Sequence, residues 1–206
     1  TGYIGLPTSA LIASHGTNVL GVDINQSVVD TINQGKIHIV EPDLDAIVSK
    51  AVSNGFFKAS TKPRSAEVYL IVVPTPFKGN HEPDISFIEA ATKAVIPFLR
   101  EGNLYIIEST SPIGTTDLMK DLIYSQRPEL DGKICLAYCP ERVLPGNIMF
   151  ELVHNDEFLK PEQARHKFSS LVKTVADPWI KGTIKNPKGQ QWVKDMLRLK
   201  NAGLVK

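Results

Sequence analysis

Thr1-Gly2-Tyr3-Ile4-Gly5-Leu6-Pro7 opens the chain, and Val19-Leu20-Gly21-Val22-Asp23 follows a short way on. The first stretch reads as the latter part of a G-x-G-x-x-G turn whose first glycine and preceding strand are cut away. Such a turn lets the backbone approach a diphosphate and aims the next helix N-terminus at its charge. Gly2, Tyr3, Ile4 and Gly5 are therefore candidate cofactor contacts, although two glycines at this spacing also fit a plain helix entry. Asp23 shifts the balance. It ends the next strand about 20 residues on, where a carboxylate accepts hydrogen bonds from adenosine ribose hydroxyls and repels a 2′-phosphate. NAD is thus favoured over NADP. The alternative role for Asp23 is to cap the helix that starts at Ser27.

Outward from these stretches, strand and helix patterns alternate. Val28, Val29 and Ile32 share one helical face from Ser27 until a stop near Gly35. Short continuous apolar runs at 68–73, 104–107 and 134–138 read as strands covered on both faces. Between them, 86–99 and 115–124 carry apolar residues at helical spacing. Alternation of this kind implies an α/β fold: a Rossmann-like doubly wound parallel sheet of order 3-2-1-4-5-6, with right-handed connections and ligands at the carboxyl ends of the strands. The first, central strand of that sheet is not among these residues, and its loss would leave buried edges unpaired. With the start at Thr1 rather than Met, this leads to the expectation that residues are missing from the chain.

The pattern weakens after about Asp156. Residues 1–156 are expected to form the dinucleotide-binding domain and 157–206 a partial segment of uncertain assignment. That segment has helical patterns at 161–175 and 190–199 and a remainder rich in Lys, Gly and Asn. Composition narrows the function classes. The 206 residues are 42% hydrophobic and 22% charged, as in an ordinary folded protein. A net charge of +1 gives no overall field for a polyanion, so neither nucleic acid nor an anionic membrane is an expected partner. No apolar run approaches the roughly 20 residues that span a bilayer, and no signal pattern opens the chain, so a cytoplasmic protein is expected. Cys135 and Cys139 are expected to be buried free thiols on one face of a strand, and no metal site is expected.

Gly-Tyr-Ile-Gly-Leu-Pro at 2–7, Gly-Val-Asp at 21–23 and Val-Pro-Thr-Pro at 73–76 resemble the UDP-glucose/GDP-mannose dehydrogenase family. The stretches at 37–44, 77–84, 108–112 and 138–146 resemble the branch of that family acting on UDP-N-acetylmannosamine. The resemblance runs from Thr1 to about Val175, its strongest motifs ending near Asp156. It implies two successive NAD-dependent oxidations that turn the C6 hydroxymethyl of a UDP-N-acetylhexosamine into a carboxylate through a thiohemiacetal and a thioester. A cysteine nucleophile, an assisting lysine and a glutamate on a Pro-Glu-Arg loop, here Glu141, belong to that chemistry. The resemblance also implies a UDP-sugar substrate and a homo-oligomer.

Beside the resemblance, the residues read chemically. Thr75, between Pro74 and Pro76 just after a strand, presents its hydroxyl to a bound cofactor or marks a proline-stiffened strand exit. Thr110, in Glu-Ser-Thr-Ser-Pro, serves the nicotinamide region or a catalytic water, or caps the helix after Pro112. Glu141 and Arg142 follow the last strand and so sit at the cleft mouth, or else form a surface ion pair. By resemblance, Arg142 and Val143 line the substrate site. Neither cysteine matches the family nucleophile, which lies in a Gly-Gly-x-Cys loop beyond a central helical domain, and the family lysine has no counterpart. Asp177-Pro178-Trp179-Ile180 resembles the stretch just after that cysteine, with Lys173 where the thiol would stand. This keeps open a non-catalytic NAD- or nucleotide-sugar-binding fragment. A sugar-acid or 3-hydroxyacyl dehydrogenase would share the opening turn and Asp23 but gives no reason for the Pro-Glu-Arg stretch.

Overall fold

A computed structural model of the chain describes residues 1–79, 82–139, 146, 148, 149 and 152. The chain divides into two units, Thr1–Met149 and Phe150–Lys206, and all the named elements belong to the first. The expected boundary near Asp156 and the expected helices at 161–175 and 190–199 lie outside the described residues.

Helix α1 (Gly5–Ser14) buries Leu6, Pro7, Ala10 and Ala13. Its small residues let it pack closely on strand β1 (Val19–Val22) and on helix α3 (Leu44–Ser53). Pro7 is tolerated because it stands in the first turn, where no intrahelical donor is needed. Helix α2 (Gln26–Asn33) begins at Asn25, whose side chain accepts from the Ser27 amide at 3.0 Å, and the chain leaves it through Gly35 at φ 71°. In α3, Leu44, Val48 and Ala51 line one buried face. Strand β2 (Phe57–Ser60) follows and pairs in parallel with β1, Gly21 opposite Ala59.

The second half repeats the theme. Strand β3 (Val68–Ile71) leads to helix α4 (Ser86–Val95), strand β4 (Leu104–Ile107), helix α5 (Thr115–Gln126) and strand β5 (Cys135–Tyr138). The three strands are parallel, in the order β3-β4-β5. Helix α4 packs on β3 and α5 on β5. The helix expected over 86–99 ends at Val95 and continues as a single 3-10 turn, Ile96–Phe98, because Pro97 cannot donate to a helical ladder. The strand expected over 68–73 stops at Ile71, since the Val73 amide turns to the Ser109 hydroxyl instead.

Two sheets therefore result, β2-β1 and β3-β4-β5, sharing no hydrogen-bonded strand. They reproduce the two flanks of the expected 3-2-1-4-5-6 order, and among the described residues no strand pairs with the second edge of β1 or of β3. Each sheet has its own apolar core. One gathers Leu6, Ile32, Leu44, Val48 and Phe57; the other gathers Ile88, Leu99, Tyr105, Ile107 and Ile123. Burial on both faces, expected for every strand, holds best in β4. Val22 at the end of β1 is exposed and β5 is half-buried throughout, as befits strands with one neighbour.

The outer edge of β2 is closed by a side chain. Asn33, the last residue of α2, donates to the Ala59 carbonyl at 3.0 Å and accepts from the Ala59 amide at 2.8 Å, as a neighbouring strand would. Asn33→Ala removes both bonds and opens this edge to water. It is expected to destabilise the fold by about 1–3 kcal/mol, read from the midpoint of denaturant unfolding.

Candidate active site at the carboxyl ends of the strands

The Gly2–Gly5 turn lies beside the ends of β1 and β3. At one end, the Thr1 amino group donates to the Val22 carbonyl at 3.2 Å and the Thr1 hydroxyl donates to Asp23 Oδ2 at 2.9 Å. At the other end, a Cβ built on Gly5 would meet the Val72 side chain at 3.5 Å, so α1 starts directly against the exit of β3. Gly21 makes the first contact possible, because a Cβ there would stand 2.5 Å from the Thr1 methyl and 3.0 Å from the Phe57 ring.

Within the turn, the Leu6 amide donates to Gly2 and the Thr8 amide to Ile4, at 3.0 and 3.1 Å. The amides of Tyr3, Ile4 and Gly5 donate to no described residue. No side chain caps α1, and its first turn carries no acidic residue. An uncapped helix start with free amides is a site for an anion, held by the N–H groups and the helix dipole.

Asp23 lies beside this turn. Its Oδ1 accepts from the Asn25 amide at 2.9 Å, and its Oδ2 lies 3.4 Å from the Thr1 amino group. Partial burial pushes its carboxyl up, but the hydrogen bonds from Asn25 and Thr1 and the nearby ammonium outweigh this and hold it below the usual carboxylate range. It is an anion at neutral pH. The helix cap that Asp23 was an alternative candidate for is supplied by Asn25. His38 is close to the same group. Partial burial lowers its pKa, against the opposing pull of Asp23.

Thr75 and Thr110 stand after adjacent strands, β3 and β4, and Ser109 ties these exits together. Its hydroxyl accepts from the Val73 amide at 2.8 Å and reaches the Ile71 carbonyl at 3.3 Å. The Glu108 amide also donates to Ile71, at 2.9 Å. Thr75 is half-buried and Thr110 exposed. Thr110 does not cap α5: the N-cap is Gly114, at φ 90°, and the Thr115 hydroxyl bonds the Pro112 carbonyl at 2.8 Å. Beyond Thr75, Phe77 and Pro83 form a bridge, and Lys78 pairs with Asp84 at 2.9 Å.

Glu141, Arg142 and Val143 lie outside the described residues. Their flanks are held. On one side the Cys139 amide donates to the Ile107 carbonyl of β4 at 2.9 Å. On the other, the Gly146 and Ile148 amides donate to Glu41, at 3.0 and 2.6 Å. Neither cysteine is in a disulfide, but the expectation that both are buried is corrected. Cys135 is half-buried, and Cys139, just past the end of β5, is exposed. Burial pushes the Cys135 thiol up to about 11, so it is protonated at neutral pH. Among the described residues no cluster of His, Cys, Asp and Glu is arranged to hold a metal, and no helix is long and apolar enough to cross a membrane.

The structure thus brings the turn at Gly2, Tyr3, Ile4 and Gly5 together with Asp23, and sets it against the β3 exit that leads to Thr75. Ser109 and Glu41, which sequence reasoning passed over as site residues, hold the exits in place. Ser109 lay in a quoted motif next to Thr110, and Glu41 between an apolar run and a proline. Both were visible as residues, but their partners depend on the fold.

Comparison with known proteins points one way. Residues 1–177 match the NAD-binding domain of the UDP-glucose/GDP-mannose dehydrogenase family. An NDP-N-acetyl-D-galactosaminuronic acid dehydrogenase of Ralstonia nicotianae is 53% identical over 166 residues, 77% of this chain and 39% of the relative. A UDP-N-acetyl-D-mannosamine dehydrogenase of Escherichia coli K12 is 52% identical over 77% of this chain and 40% of its own length. Among solved structures, the UDP-N-acetyl-mannosamine dehydrogenase of Staphylococcus aureus superposes with a TM-score of 0.71 at 46% identity, covering 75% of this chain and 38% of that one. The chain spans about two fifths of the length of these relatives.

Asp84 gives the rim of this site a pH signature. The Lys78 ammonium and the Ser86 hydroxyl and amide hold its carboxyl down at about 2. Because the folded value lies below the ordinary 3.8, the stabilisation is present above that pH and is lost as pH falls from about 4 toward 2. An NMR titration should find the Asp84 midpoint near 2 and, in Lys78→Ala, a clear upward shift toward the ordinary value.

Proposed function

We propose that this chain, which belongs to the UDP-glucose/GDP-mannose dehydrogenase family, is the NAD-binding part of a protein that oxidises the C6 hydroxyl of a UDP-N-acetylhexosamine, UDP-N-acetylmannosamine foremost, to the uronic acid. The observation that carries the reading is the uncapped start of α1, three of whose amides donate to no described residue, set between the Asp23 carboxylate and the exit of β3. The printed names of the relatives support an N-acetylated sugar nucleotide, since the mannosamine and galactosaminuronic enzymes share it.

The residues fit the cofactor. The amides of Tyr3, Ile4 and Gly5 receive a diphosphate, for which the open space beside Gly2 leaves room. Asp23 accepts from two ribose hydroxyls and, as an anion, repels the extra phosphate of NADP. When bound, NAD supplies the hydride acceptor. Thr75 and Thr110, on exits fixed by Ser109, present hydroxyls to the nicotinamide half, and Thr110 also orders a water. Glu141 serves thioester hydrolysis, and Arg142 and Val143 contact the sugar nucleotide, roles that follow from the motif. Holding the sugar carbon against the nicotinamide is the contribution these groups make to rate. A homo-oligomer in the cytoplasm is the setting the family resemblance supports.

A second reading, a non-catalytic NAD- or nucleotide-sugar-binding module, is supported by neither Cys135 nor Cys139 matching the family nucleophile. Steady-state assay of the intact protein separates the two. NADH formed from NAD with UDP-N-acetylmannosamine supports the dehydrogenase, whereas NAD binding without turnover selects the module. Asp23→Ala is expected to weaken NAD binding by about 1.5–3 kcal/mol, the worth of hydrogen bonds to a charged group, measured by calorimetry. Unchanged affinity would remove Asp23 from the site.

A further inference from the structure

Glu41 is a buried carboxylate, 4% exposed, and it is not accounted for by cofactor binding. Its Oε1 accepts from the Ile148 amide at 2.6 Å. Its Oε2 accepts from the Gly146 amide at 3.0 Å and from the Tyr3 hydroxyl at 3.3 Å. The same hydroxyl lies 3.4 Å from the Val40 carbonyl. A buried charge is costly unless hydrogen-bonded, and here two backbone amides and a phenol satisfy it. Two of these donors lie more than a hundred positions downstream, so the bonds close a long loop of chain. Tyr3, the third donor, belongs to the phosphate turn. Two residues on, Asp43 lies in the left-handed region at φ 63°. Holding a non-glycine residue there costs free energy and marks a turn fixed by its surroundings.

The partners give this anchor its meaning. Gly146 and Ile148 follow the Pro-Glu-Arg stretch directly, and the Cys139 amide, on β4, precedes it. The chain is thus pinned on both sides of Glu141, Arg142 and Val143, by the sheet at one end and by Glu41 at the other. After the second pin, Ile148 is fully buried and Met149 joins the core of α1 and α3. The Tyr3 hydroxyl also faces the Gly146 amide.

We propose that Glu41 is a positioning residue: it fixes where the chain leaves the Pro-Glu-Arg stretch and so sets affinity and turnover for the sugar nucleotide, with little influence on NAD affinity. The inference rests on the proposed dehydrogenase function for its kinetic consequence, while the anchor itself stands on the geometry. Tyr3 is the minor member of the network, since Glu41 accepts from both backbone amides without it.

Glu41→Gln in the intact protein tests it. Glutamine keeps the shape but replaces one acceptor oxygen with an NH2, so one of the two amides loses its partner. Amide hydrogen exchange at Gly146 and Ile148 should accelerate at least tenfold. KM for UDP-N-acetylmannosamine should rise and kcat fall, each about tenfold, with the NAD dissociation constant within threefold of wild type. Should Glu41→Gln not fold, Glu41→Asp carries the test, its shorter reach producing the same pattern at smaller size. Unchanged exchange overturns the anchor. Faster exchange with unchanged sugar kinetics, or parallel loss of NAD and sugar binding, overturns the positioning role and leaves a structural one. Were wild type to form no NADH, the proposed function would fail separately, and exchange together with direct UDP-sugar binding by calorimetry would still decide the anchor.

Discussion

The turn at Gly2–Gly5 is held at both ends by different sheets, and the rest of the site follows from that. Thr1 bonds the last residues of β1 and Asp23, while Gly5 rests on Val72 just beyond β3. The two sheets share no ladder, and their apolar cores are separate. At this end of the molecule the backbone of Gly5 lies against Val72, and that of Gly21 against Thr1 and Phe57. A Cβ at position 21 would push Thr1 and Phe57 aside. Close approach, more than flexibility, is what these two glycines provide.

Once the turn is placed, the polar groups fall around it in order. The start of α1 has no side-chain cap, and an ionised carboxylate lies at one side. The exits of β3 and β4 are knitted by the Ser109 hydroxyl, which takes over from the ladder where β3 stops. Farther along, Glu41 holds returning backbone to the same turn through Tyr3. Each device spends a polar side chain on backbone donors, so that loops at the ends of the strands are fixed without regular structure. Rigid exits are what a site assembled from several strands requires.

Much of this was legible in the sequence, for physical reasons. Leu104 to Ile107 and the apolar face of α4 announced themselves through periodicity, and Asp23 through its place at a strand end. The strand Phe57–Ser60 was missed because only Phe57 and Ala59 face inward and the run is short; its edge is completed by Asn33, a helix residue. Helix α3 carried a readable pattern in Leu44, Val48 and Ala51, obscured by the motif around Glu41 that precedes it. The roles of Ser109 and Glu41 were not legible, because a hydrogen bond between positions 73 and 109, or 41 and 148, exists only once register and chain return are set. The cysteines were placed too deep, since a strand at a sheet edge covers neither face fully.

The central claim is that the turn and Asp23 together receive NAD. A crystal structure of the intact protein with NAD bound tests it most directly. The account predicts the diphosphate within hydrogen-bond distance of the amides of Tyr3, Ile4 and Gly5, and the adenosine ribose hydroxyls donating to the Asp23 carboxylate. Density for the cofactor elsewhere, or a ribose turned away from Asp23 with the diphosphate off the start of α1, would contradict it.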